Sequence, residues 1–261
     1  MHSVSQIFIY PIKGLGGISL TSAKAKIEGF ENDRRWMLVD KDGKFLSQRE
    51  NAMMALFKTE CIEEGINVTY ENESVVIPFN TNEHEVKHVS VWGSKMKAQE
   101  VSPLFSTWFS DNMHMNCTLV SMTEISKRYK RLFVPPFKTY VSFADGYPYL
   151  ILGEESMVHL NEKLDSPLKI DRFRANIIVT SQQPHEEDDW SEYKIGTSKM
   201  KVIKPCARCN VTTINQQTGE IGKEPLKTLA TYRRKANKIY FGANAIILEE
   251  GEISVGDSVL F

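Results

Sequence analysis

The sequence predicts an α+β protein, predominantly β, organised as two domains over residues 1–118 and 119–261. Three observations carry that prediction. Short apolar runs alternate with turn residues through the first hundred positions, a helical period surfaces in only two places, and β-branched runs dominate the last hundred residues. A chain of 261 residues with 41% hydrophobic and 25% charged side chains can bury one large core or two smaller ones.

The elements follow in order. Ile7 and Ile9 before Tyr10-Pro11, then Ile18 and Leu20, then Trp36 to Val39 ahead of the turn Asp42-Gly43, predict short strands with a hairpin signal. Further strands are expected at 68–70, 75–77 and 89–92, so this half reads as a small, strongly twisted β-domain. Ser102-Pro103 supplies an N-cap and a first-turn proline for a helix over 102–113, with Leu104, Phe105, Trp108 and Phe109 as its apolar stripe. A second helix is expected over 154–164, where Met157, Leu160 and Leu164 share one face behind acidic first-turn residues. The aromatic, proline-rich stretch 132–149 reads as a long functional loop. Strands are then expected at 177–180, 199–203, 211–214, 239–241, 245–248 and 254–260.

Charge and composition exclude several classes. The 32 basic and 33 acidic residues cancel, which removes the long-range field of a nucleic-acid binder. No segment reaches the roughly 18 apolar residues of a membrane span, and the N-terminus lacks a leader pattern, so a cytoplasmic protein without membrane association is expected. Four cysteines are too few for a disulfide scaffold.

The fragment His84 to His88, HEVKH, has the letters of a zinc-protease motif, but its flanks read as turn then strand, where the two histidines stand too far apart for one metal. The run Lys127 to Arg131, KRYKR, reads as a solvated face. Cys206 and Cys209 form a C-x-x-C without the second pair a zinc site requires. β-branched residues on both sides place it in a loop or turn between strands, away from the helix start of a thioredoxin-type motif. Arg208 between the two thiols favours a thiolate, a soft metal ligand. Lys13, Arg34-Arg35 and Arg172-Phe173-Arg174 supply cations next to turns, the groups that hold a phosphate. From the residues alone the chemistry reaches a thiolate beside an anion site, and two incidental thiols in a turn remain the alternative.

The string KPCARCNVTTINQQTGEIGKEPLKTLATYRR at 204–234, with DRFRANIIV at 171–179, DGYPYLIL at 145–152 and the terminal ISVGDSVLF, resembles the MOSC domain, the C-terminal domain of molybdenum cofactor sulfurases. YPIKG and DRRWMLVD resemble the β-barrel domain that precedes it in proteins similar to the mitochondrial amidoxime-reducing component and its bacterial relatives. The resemblance implies an N-terminal barrel-like domain packed against a β-barrel MOSC domain, with the cofactor in the cleft between them. That cofactor is a molybdenum ion on the dithiolene of a pterin, ligated by Cys209, while Cys206 stays non-ligating. Nothing calls for pyridoxal phosphate.

The same resemblance assigns pterin or phosphate contacts to Lys13, Gly14, Arg34, Arg174, Asn176 and Arg208. Gly14 stands where relatives often carry serine, which leaves it a backbone donor only; Ala175 replaces the proline of the usual F-R-P-N. The implied activity is that of a molybdenum-cofactor-dependent oxidoreductase reducing N-hydroxylated small molecules by oxygen-atom transfer to molybdenum. Asp145 and Tyr147 are candidate substrate contacts on the long loop. No ferredoxin-like cysteine cluster is present, so a separate reductase, ferredoxin-like or cytochrome-like protein is expected to donate the electrons. A cofactor or sulfur carrier without turnover is the alternative.

Overall fold

The computed structural model describes residues 2–80 and 85–261, so His84 of the HEVKH fragment lies outside the described residues. Alternating burial makes strand the dominant element, as the periodicity predicts. The largest sheet has nine strands, ordered Val259–Leu260, Glu192–Ile195, Ser198–Ala207, Lys238–Glu249, Tyr149–Gly153, Ile177–Val179, Val4–Ile9 and Ile18–Leu20, with Arg234–Lys235 pairing off the path. One junction is parallel, Tyr149–Gly153 beside Ile177–Val179; the crossover there carries the helix Glu154–Asn161. A five-stranded sheet runs Val86–Val91, Ser94–Glu100, Thr118–Ser121, Trp36–Val39 and Ile12–Lys13.

The predominantly β, α+β class holds, but the barrel expectation is corrected. Among the described residues the large sheet ends on Ile18–Leu20 and Val259–Leu260, strands of three and two residues that do not pair with one another. Edges this short leave too few ladder hydrogen bonds to close a ring. The N-terminal strand is also shared: Val4, Ile7, Ile9 and Phe30 are buried in one core with Tyr149, Ile177, Met200 and Ala245. A second core, with Trp36, Phe57, Phe109 and Leu119, sits within the first half of the chain.

Local chemistry explains where the pattern held and where it failed. The first helix, α1, runs Pro103–Met113, and the Ser102 hydroxyl accepts the Leu104 N–H, as a cap should. Phe109 is buried on it, but Leu104 faces solvent. The second, α2, spans Glu154–Asn161 and buries Met157 and Leu160, with Leu164 beyond its end. The turn at Asp42-Gly43 forms with Gly43 at φ +73°, where a Cβ would come 2.2 Å from the carbonyl oxygen of His88. His88 lies on a strand rather than a helix, so the geometry of a helical zinc motif is absent there.

Three strand expectations are corrected. Residues 211–214 are not a strand: Asn210–Thr213 is a 3-10 turn, because the Thr212 and Thr213 hydroxyls donate back to the carbonyls of Cys209 and Asn210 at 3.0 and 2.8 Å. The expected strands 239–241 and 245–248 merge into Lys238–Glu249, bent at Gly242, whose φ is +73°. The expected strand 254–260 splits in two, since the Asp257 carboxylate accepts the Ser254 N–H and closes a turn. A third helix, α3, at Leu226–Tyr232, went unforeseen; the Glu224 carboxylate accepts the Thr228 N–H near its start.

Candidate functional site

The site is a cavity of about 800 Å³. Lys13, Gly14, Arg34, Arg174, Asn176, Arg208, Cys209, Asp145 and Tyr147 all line it. Residues from position 13 to position 209 of the sequence therefore meet at one place.

Its floor is organised around Tyr10, which the sequence reading passed over. The ring lies 4.3 Å from the Arg34 guanidinium and 4.2 Å from that of Arg174, and its hydroxyl donates to the Ala175 carbonyl. Two guanidiniums on one aromatic ring repel each other, and ring contact with cation–π attraction offsets part of that cost. Both arginines sit in the left-handed backbone region, Arg34 at φ +50° and Arg174 at φ +53°. Such conformations cost of order 1 kcal/mol or more and persist where surrounding contacts over-determine them.

Those contacts are on hand. The fully buried Asp33 accepts the Tyr10 N–H at 2.7 Å and an Arg34 N–H at 2.6 Å. Arg34 also donates to Asn176 Oδ1 at 3.0 Å and to the Arg174 carbonyl at 3.1 Å. Asn176, itself buried, accepts from the Leu150 N–H and donates to the Phe8 carbonyl. Arg34 and Asn176 thus spend much of their hydrogen-bonding capacity on the protein and hold the wall in shape. Among the described residues the Arg174 guanidinium makes no hydrogen bond, and burial lowers its pKa to about 10.

On the opposite wall, Lys13 is buried and ion-paired with Asp145, which also accepts the indole N–H of Trp92 at 3.0 Å. Burial alone would raise the Asp145 carboxyl, but Lys13 and the Trp92 hydrogen bond hold it well below the usual carboxylate range. Burial lowers Lys13, and Asp145 opposes that shift. The backbone of this loop is fixed by Arg128, which donates to the carbonyls of Ser142, Ala144 and Asp145. Within KRYKR, Lys127, Tyr129 and Arg131 are exposed as expected, but Arg128 is 8% exposed, so the solvated-face reading is corrected at that position: a guanidinium can reach three carbonyls that water would otherwise have to serve. Of the long loop, Ala144 to Tyr147 reach the cavity, while Phe133 and Phe137 are exposed on a hairpin tip.

The thiols differ from one another. Cys206 is the penultimate residue of the strand Ser198–Ala207, so the C-x-x-C begins inside a strand and not wholly in a turn. Its sulfur accepts an Arg208 N–H at 3.2 Å. Arg208 also donates to the Phe173 carbonyl at 2.6 Å, and its Nε is buried without a partner. Cys209 precedes the 3-10 turn in extended backbone, half-buried, with no hydrogen bond to its sulfur among the described residues. The cation that sequence placed beside both thiols therefore engages Cys206.

Basic residues that sequence treated separately also converge here. Eleven Lys and Arg line the cavity against three Asp, in a chain whose net charge is −1. Folding has gathered the positive charge that the composition conceals. Doublets such as Arg233-Arg234 were the available signal, but charge clusters more often mark a solvated face.

Comparison with known proteins gives a consistent result. Residues 1–116 match the model of the MOSC N-terminal beta barrel domain, and residues 138–260 match that of the MOSC domain. The chain is 27% identical to the mitochondrial amidoxime-reducing component 1 of Homo sapiens over 98% of its own length and 82% of that protein. It is 29% identical to the mitochondrial amidoxime reducing component 2 of Bos taurus over the same shares. A molybdenum cofactor sulfurase of Oryza sativa subsp. japonica is 28% identical over 98% of this chain, which spans 33% of that longer protein. With both matched regions in order along the sequence, the chain belongs to the MOSC-domain proteins that carry the MOSC N-terminal domain ahead of the MOSC domain.

Proposed function

We propose that the cavity holds a molybdenum–pterin cofactor on the Cys209 thiolate and reduces N-hydroxylated small molecules. One observation carries the reading: the Cys209 sulfur, free of hydrogen bonds among the described residues, lines the same cavity as Lys13, Arg34, Arg174 and Arg208. The residues fit the group. Among the described residues the buried Arg208 Nε and the Arg174 guanidinium are donors without acceptors, the condition a phosphate or a pterin carbonyl relieves. A cavity of about 800 Å³ is ample for a cofactor of that size.

When bound, the group supplies exchange of two electrons and acceptance of the substrate's oxygen atom. The protein's residues do the rest. Arg174 and Arg208 hold the anionic end, Asp33 and Asn176 keep Arg34 against Tyr10, and Lys13 with Asp145 shapes the wall beside the reacting centre. Overall, an N-hydroxylated compound with two electrons and two protons yields the reduced nitrogen compound and water. A separate protein provides the electrons, as suits relatives named as components of a reducing system.

The sulfurase relative supports a second reading, in which the same cysteine carries cofactor or sulfur without turnover. Protein purified from a host that makes the cofactor separates the two. Molybdenum content is measured alongside amidoxime reduction with a chemical electron donor, for the wild type, Cys209→Ala and Cys206→Ala. Near-stoichiometric metal lost only with Cys209, together with turnover, is the expected result. Metal without turnover over a broad substrate panel favours the carrier, and full metal in Cys209→Ala overturns both.

A further inference from the structure

We infer that Lys130 and Lys204, placed around Tyr147, form an anion subsite that selects substrates carrying a carboxylate or phosphate. The inference rests on the proposed reductase reading and names the substrate class for that same cavity. The Lys130 ammonium lies 5.4 Å from the centre of the Tyr147 ring, and that of Lys204 lies 5.3 Å from it. Neither lysine has a carboxylate within ion-pair distance among the described residues, whereas Lys13 and Arg233 are each matched to an aspartate. The two ammoniums are close enough that Lys204 helps to lower the pKa of Lys130, behind the effect of burial. Two cations brought together around one aromatic ring, with no ion-paired carboxylate among the described residues, lower their repulsion when an anion enters.

The surroundings strengthen the case. Arg234, Lys235 and Lys238 line the same cavity from the hairpin between Arg234–Lys235 and Lys238–Glu249, and they too lack ion-pair partners among the described residues. A concave wall of one sign concentrates small anions inside it. Lys204, Arg234, Lys235 and Lys238 are exposed at the mouth, while Lys130 is half-buried in the cavity wall, within reach of a small anion rather than a protein surface. Tyr147 adds a flat face for a planar group, so a charged aryl or heteroaryl substrate matches both features.

The test compares benzamidoxime with 4-carboxybenzamidoxime on the cofactor-loaded protein, for the wild type, Lys204→Gln and Lys204→Glu. Calorimetry without reductant reads binding apart from turnover. The wild type is expected to bind the carboxylated probe about tenfold more tightly, a ratio that falls with added salt. In Lys204→Glu that preference disappears or reverses while affinity for the neutral probe holds, and Lys204→Gln falls between. Equal binding of both probes, undetectable binding of either, or an equal loss for both in the variants overturns the subsite.

Two further readouts separate the sources of the anion. If these lysines instead hold the cofactor's own phosphate, Lys204→Glu loses molybdenum, and the inference fails. If they serve an acidic electron donor, the variant slows only protein-driven reduction and leaves probe binding unchanged, which overturns it equally. Failure of the reductase reading itself shows as absent turnover with the binding preference intact.

Discussion

Asp33 offers the sharpest test of how the site is held. Its carboxylate is fully buried, accepting one hydrogen bond from the Tyr10 N–H and one from Arg34, whose side chain is 12% exposed. Burial raises the carboxyl and Arg34 lowers it, with the balance left upward, so desolvation of the pair is costly. Removing one member of a buried pair typically costs about 3–5 kcal/mol, because the other is left uncompensated. Arg34 keeps Asn176 Oδ1 and the Arg174 carbonyl, which places Asp33→Asn near the lower end, about 3 kcal/mol.

Asp33→Ala also orphans the Tyr10 N–H and costs about 1 kcal/mol more. Replacing both partners, as in Asp33→Asn with Arg34→Gln, removes the stranded charge and costs less than the two single losses added together. Urea unfolding of the wild type, Asp33→Asn, Asp33→Ala, Arg34→Gln and the double variant measures each quantity. A loss under about 1 kcal/mol for Asp33→Ala, or simple additivity in the double variant, would refute the view that this pair props up the floor.

Two more expectations follow from buried polar groups. Among the described residues both ring nitrogens of His185 are buried without partners, and burial, then Arg233 and His159, lowers its pKa to about 4. The neutral ring is the folded form, so its contribution is complete above the unfolded value of about 6.5 and drains away as pH falls towards 4, by up to about 3 kcal/mol. His185→Phe should flatten that part of the stability–pH curve, and an unchanged slope would remove the assignment. Arg128→Met leaves the carbonyls of Ser142, Ala144 and Asp145 without their donor, for a loss of about 2–3 kcal/mol. Amide exchange over 141–147 should accelerate with it, and unchanged exchange would mean the loop is held by other contacts.

Much was legible from residues alone. Ser102-Pro103 marks a cap whose hydrogen bond needs only neighbouring atoms, and the Asp42-Gly43 turn requires only the backbone freedom of glycine. Every site residue named from those ordered strings, from Lys13 to Cys209, lines the cavity, but the cavity also gathers Ser47, Gln48, Arg49, Trp92 and Lys130, which no string marked. What failed were readings with longer reach. Residues 211–214 have strand composition, yet two threonine hydroxyls bond back to local carbonyls and coil them. Arg128 sits in a basic run that looks solvated until three carbonyls from 142–145 fold over it.

Taken alone, the sequence determined most of the short strands, the capped helix and the glycine turn, and which thiols and cations are available, because those properties reside in neighbouring atoms. Only the tertiary structure decided that Arg208 turns to Cys206 and leaves Cys209 open, and that Tyr10 lies against two guanidiniums. It likewise decided that a chain with no net field concentrates its positive charge in one cavity. The physical reason is that burial, pairing and repulsion depend on distances between residues far apart in the chain, and those distances exist only once the strands have paired.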